Sequence, residues 1–159
     1  MEQTTEKKQF RGFFGNYRHS VDAKGRVFIP SNYRKGLSSC FMLTKGLDRC
    51  LVAYSMEEWD KIAEVLGKIP FTDRSGREFA RFFFSSAIDC EPDKQGRICI
   101  PQELREYAEL EKDVCFTGAK TYVEIWNYDR WKSNSSVYDS NADVLAEKMQ
   151  KYLGAGETE

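Results

Sequence analysis

"DAKGRVFIP" occupies residues 22–30 and "DKQGRICIP" occupies residues 93–101. A chain of 159 residues thus writes nearly the same phrase twice, 71 positions apart. Pairing Asp22 with Asp93 also aligns Gly25 with Gly96, Arg26 with Arg97, Ile29 with Ile100, Pro30 with Pro101 and Arg34 with Arg105. Val27 faces Ile98, a swap of like for like. Downstream, with small shifts of register, Thr44 aligns with Thr117 and Trp59 with Trp131. "LVAYSMEEW" (51–59) then lies against "VEIWNYDRW" (123–131). Matches that stay collinear this far mark an internal duplication. The period is longer than the 20–50 residues of solenoid repeats, so the chain is two copies of a small module and not an array.

The length suits one compact domain or two small ones. A chain that is 41% apolar and 14% aromatic can fill a core. No apolar run reaches the 18 residues or so that a membrane span needs. The N-terminal "MEQTTEKKQF" has no apolar segment of the kind a signal peptide carries, so the expected location is the cytoplasm. Five cysteines without C-x-x-C spacing point to neither a zinc site nor a disulfide framework. Cys99 and Cys115 stand in apolar runs and read as small core residues. The net charge is −1 but unevenly spread. Residues 1–35 carry eight Lys/Arg against three Asp/Glu, and residues 133–159 carry two against five. The basic excess therefore falls on the first copy of the motif, although a solvated face explains such a bias equally well.

The local signals give a mainly β chain with short helices, an α+β fold. Residues 1–9 read as a flexible arm. Residues 15–21 alternate, with Tyr17, His19 and Val21 on one face of a strand. "DAKG" is turn chemistry: Asp bonds its own backbone and Gly tolerates positive φ. "RVFIP" resumes as a strand and stops at proline, which has no N–H. The motif is thus a β-hairpin or a strand-loop-strand turn with Lys24 and Arg26 at its tip. A short helix, two strands at 41–44 and 51–54, and a helix capped by Ser55 with Glu58 complete the first copy. On that helix Trp59, Ile62, Ala63 and Leu66 share one face. Residues 70–76 read as a joint. Residues 77–86 read as a short helix burying Phe79, Phe82 and Phe83. The order then repeats, with strands at 87–91, 97–100, 114–117 and 122–126 and a short helix at 102–107. A last amphipathic helix spans 141–153, with Leu145, Met149, Tyr152 and Leu153 on one side. The expected division is a first module at 10–69, a second at 77–132 and a C-terminal helix with an acidic tail at 133–159. Two modules of this size share one core through interlocking strands.

Two readings of the motif stand side by side. In the first, Asp pairs with Arg across a tight turn, Gly serves only the backbone and Pro only ends a strand. This accounts for Asp, Gly and Pro. It accounts poorly for Arg, because surface ion pairs contribute about 0–1 kcal/mol, and it gives Lys24, Arg34 and Arg105 no role. In the second, each turn presents a cation on a rigid support. Arg offers planar donors for phosphate and for guanine edges. A two-stranded β-ribbon enters the major groove, and duplication fixes two such turns at one spacing. Catalysis has little support. His19 is the only histidine, and it lies on an alternating strand. No G-x-x-x-x-G-K-[ST], H-E-x-x-H or G-x-S-x-G is present. An oligomeric interaction module without DNA remains the alternative.

"DAKGR-V-FIP…YR" and "DKQGR-I-CIP…LR", with "FFGNY" (13–17) ahead and Trp closing each copy, resemble the MraZ family. "FARFFFSSAIDCEPDKQGRICIP" (79–101) is similar to that family's central segment. The resemblance covers residues 13–131. It implies two tandem SpoVT-AbrB-type swapped-hairpin modules in one chain. It implies a bacterial transcriptional regulator that binds double-stranded DNA upstream of a division and cell-wall gene cluster. It further implies association with the nucleoid and assembly of copies into a ring, with no cofactor, small-molecule substrate or membrane. The D-x-x-x-R positions map to Asp22 with Arg26 and to Asp93 with Arg97, and the turn cation maps to Lys24. The second turn departs there, with Gln95 in its place and Lys94 beside it. The expected DNA contacts are Lys24, Arg26, Lys94, Arg97, Arg18, Arg34 and Arg105. Asp22, Gly25, Asp93 and Gly96 support the turns.

Overall fold

A computed structural model of the chain describes residues 9–154. The arm expected over 1–9, Gln9 excepted, and the last five residues of the acidic tail lie outside the described residues. The first copy supplies β1 (Asn16–Ser20), β2 (Arg26–Phe28), α1 (Ser31–Leu37), β3 (Phe41–Lys45), β4 (Leu51–Ser55) and α2 (Met56–Gly67). Helix α3 (Arg74–Phe84) follows. The second copy supplies β5 (Ile88–Cys90), β6 (Arg97–Cys99), α4 (Gln102–Tyr107), β7 (Asp113–Gly118) and β8 (Val123–Asn127). Two more helices, α5 (Tyr128–Ser140) and α6 (Ala142–Leu153), end the described chain.

The strands exchange partners between the copies. The six-stranded sheet runs β1-β7-β8-β4-β3-β5, and β2 pairs with β6 in a separate two-stranded ribbon. All pairings are antiparallel. Replacing each strand by its counterpart in the other copy reverses that order and leaves it unchanged, so the sheet has an internal pseudo-two-fold. The ribbon lies on the same axis. Val27 pairs with Ile98, its own counterpart, while Arg26 pairs with Cys99 and Phe28 with Arg97. β1 and β2 therefore do not form a hairpin with each other: β1 joins the second copy's β7, and β2 joins the second copy's β6. The fold is α+β, with two tandem modules interlocked by swapped strands.

The exchange exists because neither copy can close a core alone. Ile29 with Ile100, Val27 with Ile98, Tyr33 with Leu104 and Leu37 with Ala108 are counterparts, and all lie in one buried cluster. The Tyr33 hydroxyl donates to the carbonyls of Phe14 and Gly15, so this polar group enters the core satisfied. Pro30 and Pro101 stand at the N-caps of α1 and α4, where a missing N–H costs nothing. The Ser55 hydroxyl accepts from the Glu58 N–H and caps α2 as expected. Trp59, Ile62, Ala63 and Leu66 are half-buried.

Helix α3 begins earlier than the sequence reading placed it. Asp73 caps it through the Gly76 N–H, so part of the expected joint at 70–76 is helix. Phe83 is buried and stacks on both Trp59 and Phe79, while Phe79 and Phe82 are only half-buried. The chain divides into two compact units after Asn127, five residues before the expected boundary, because β8 ends there and α5 starts at once. In the second unit, Leu145, Met149, Tyr152 and Leu153 of α6 are all exposed.

Candidate nucleic-acid interface

Each D-x-x-x-R segment folds into the same closed loop. The Asp22 N–H donates to the Arg26 carbonyl, and the Gly25 N–H donates back to the Asp22 carbonyl. Asp22 Oδ1 accepts the N–H groups of Lys24 (2.9 Å) and Arg26 (2.8 Å), and Oδ2 accepts Arg26 Nε (2.7 Å). In the second loop Asp93 Oδ1 accepts from Gln95 and Arg97, each at 2.9 Å, and Oδ2 accepts Arg97 Nε at 2.9 Å. One aspartate thus satisfies two backbone donors and orients one arginine. The backbone bond from the arginine's own N–H is the main reason both carboxyls sit below the usual carboxylate range. Gly25 and Gly96 close the loops at φ +80 and +83, a region that L side chains rarely adopt.

The loops are locked across the copies. The Ile29 N–H donates to the Gly96 carbonyl, and the Ile100 N–H donates to the Gly25 carbonyl. Arg34 Nε donates to the Ile29 carbonyl and Arg105 Nε to the Ile100 carbonyl. This puts the Arg34 guanidinium against Gly96 and the Arg105 guanidinium against Gly25, where a Cβ would lie 2.6 and 2.9 Å from the respective Cζ atoms. Arg34 and Arg105 were expected among the DNA contacts. Each stands against the turn of the opposite copy, because strand exchange brings α1 to the second turn and α4 to the first, and Arg34 stays exposed and Arg105 half-buried there.

Lys24 and Lys94 are exposed on the loops, one residue out of step between the copies. Arg18 lies on β1 and pairs with Asp113 at 3.0 Å, so it belongs to the sheet rather than to a turn. Within the ribbon, Val27 and Ile98 point into the core. Strand alternation therefore turns Arg26, Phe28, Arg97 and Cys99 to the outer face. Cys99 is exposed, which corrects the expectation that it packs inside, whereas Cys115 is buried and its thiol is pushed up to about 11 by that burial. Phe28 is a surface residue that the sequence reading left out, although the period of two from Val27 was enough to find it. His19 is half-buried, edge-on to Phe116 at 5.7 Å, and its pKa is lowered by burial and by the Arg34 charge. That is the setting of a packed neutral imidazole. Among the described residues no group of three His, Cys, Asp or Glu is placed to hold a metal ion, and no helix is long and apolar enough to cross a membrane.

The family described as "MraZ protein, putative antitoxin-like" matches the chain twice, over residues 13–82 and 83–151, one match for each turn. The chain belongs to the MraZ family. A relative from Acetivibrio thermocellus named "Transcriptional regulator MraZ" is 57% identical over 137 residues, covering 86% of this chain and 96% of the relative. Relatives of the same name from Pelotomaculum thermopropionicum and a Thermoanaerobacter species are each 50% identical, covering 86% and 87% of this chain and 94% of each relative. The boundary between the two family matches falls inside α3, between Phe82 and Phe83, and not at the joint read from composition.

Proposed function

We propose that this MraZ-family protein is a DNA-binding transcriptional regulator that grips double-stranded DNA through its two D-x-x-x-R turns. The observation that carries the reading is the ribbon. Two arginines stand on its outer face, each oriented by an aspartate through Nε, with their terminal amino groups not used by that bond. A β-ribbon of this kind fits the major groove, where arginine pairs with phosphate and guanine. Lys24 and Lys94 add phosphate contacts beside them, and Arg34 and Arg105 hold the turns. The relatives' name supports a regulator and not an enzyme. The target we assign is the promoter of the protein's own division and cell-wall gene cluster, bound at the nucleoid in the cytoplasm by tandem SpoVT-AbrB-type modules. The test is a mobility shift with the duplex upstream of its gene against a shuffled duplex. Retention is expected to fall steeply with salt, with a log–log slope of about −0.9 per phosphate neutralised. A complex indifferent to salt would remove the arginine mechanism.

A ring of copies belongs to the same proposal. In a chain of net charge −1, one copy of each turn offers few cations, and repeated turns raise avidity without stronger single contacts. The exposed Phe84 at the end of the aromatic segment 79–84, the exposed apolar side chains of α6, and the exposed Val65, Ile69 and Phe71 (84%) offer apolar surface for copy-to-copy contact. Light scattering is expected to give a mass several times 18.4 kDa at micromolar concentration. A monomer that still binds the duplex would refute the ring. The same apolar surface favours the alternative, a non-catalytic interaction module, which predicts assembly without any retention of DNA.

A further inference from the structure

The two turns share their hydrogen bonds but not their surroundings. On the outer face of the ribbon Phe28 sits directly opposite Arg97, and its ring centroid is 5.8 Å from the Arg97 Cζ. By the pseudo-two-fold, the place beside Arg26 is held by Cys99, which offers no ring. The side chain of Arg97 is 22% exposed against 35% for Arg26. Phe28 itself is 42% exposed, so the ring is not there to fill the core. Arg97 is thus held at Nε by Asp93 and lies within cation–π distance of the Phe28 ring. Arg26 is fixed at Nε by Asp22 and has Lys24 beside it in the loop.

We propose that Phe28 is a specificity-determining residue that acts by positioning Arg97, so that the pseudo-symmetric ribbon carries one rigid and one adaptable arginine and reads a duplex in a single direction. The proposal rests on the DNA-binding reading above. A guanidinium already restrained by a neighbouring ring loses less freedom when it meets a base edge. The rigid Arg97 discriminates between base pairs more sharply, and the adaptable Arg26, with Lys24 beside it, meets bases and phosphates alike.

The test measures affinity for the upstream duplex by fluorescence anisotropy, with melting temperature as a control. Phe28→Leu keeps bulk but removes the π face, and it is expected to weaken binding about two- to fivefold per engaged turn. Phe28→Tyr keeps the face and is expected to bind as wild type. In an Arg97→Ala background, Phe28→Leu is expected to add nothing, the signature of action through Arg97. The exchange Phe28→Cys with Cys99→Phe moves the ring beside Arg26. The half of the duplex most sensitive to base-pair substitution is then expected to move to the other turn. If Arg97→Ala weakens binding and Phe28→Leu does not, the positioning role is wrong while the DNA reading stands. A Phe28→Leu penalty that persists without Arg97 overturns it equally, since the ring would then act on its own. If neither Arg26→Ala nor Arg97→Ala changes affinity, the DNA reading itself fails and this inference falls with it.

Discussion

Replacing Arg26 with Ala is expected to lower affinity for the upstream duplex by about 1–3 kcal/mol for each engaged turn while leaving the fold intact. Arg26 makes one side-chain bond, to Asp22 Oδ2, on a half-exposed face, and its loss buries no polar group. Surface changes of this kind stay within about 0.5 kcal/mol. Asp22→Ala is a different substitution. It removes the acceptor for two backbone N–H groups as well as the arginine's partner. That variant is expected to melt earlier and to bind worse, because the loop that aims Arg26 loosens. Matched losses in the two variants would mean that Arg26 merely pairs with Asp22. Unchanged affinity in Arg26→Ala would refute the role assigned here. In an assembly that engages several turns, the per-turn loss accumulates. Arg97→Ala is expected to behave likewise, with its effect set by how far its rigid turn contacts bases.

The duplicated phrase made the β-rich, two-module fold legible, because Asp, Gly and Pro at fixed offsets each have a local physical reason. Ser55 with Glu58 located a helix start for the same reason. Asp73 carried an equal signal for α3, but the nearby Pro70 and Gly76 read more strongly as a joint. The strand partners were harder to read. Hydrophobic alternation says which side of a strand is buried, and it is silent on whether β1 meets its own copy or the other. The place of Arg34 and Arg105 behind the turns is hidden in the sequence for that reason. Read within its own copy, each is a spare cation after a strand; once the strands are exchanged, each stands behind the opposite turn. Cys99 failed differently. Its apolar neighbours suggested burial, while the three-residue alternation of β6 puts Ile98 inside and Cys99 outside.

The same exchange sets the second large effect. Gly96→Ala is expected to cost about 1–2 kcal/mol of stability from backbone strain alone, since φ is +83 there. For a domain of this size that lowers the melting temperature by roughly 2–8 °C. The new Cβ also meets the Arg34 guanidinium at 2.6 Å. A flexible side chain can move aside, but moving Arg34 draws its Nε away from the Ile29 carbonyl. The disturbance therefore starts in the second copy's turn and ends at the first copy's strand. Adding Arg34→Ala to Gly96→Ala is expected to relieve the clash and leave the backbone strain. The double variant should then lose less than the two single losses added together. Gly25→Ala meets Arg105 at 2.9 Å and also the Ile100 carbonyl oxygen at 3.1 Å, which is backbone and cannot swing away. Its loss is expected to be the larger of the two, and Arg105→Ala should recover little of it. Calorimetry on these five variants separates strain from clash. Wild-type melting in both glycine variants would show that the turns tolerate side chains and are not held from behind as described. Strict additivity of Gly96→Ala with Arg34→Ala would show that Arg34 does not brace the second turn.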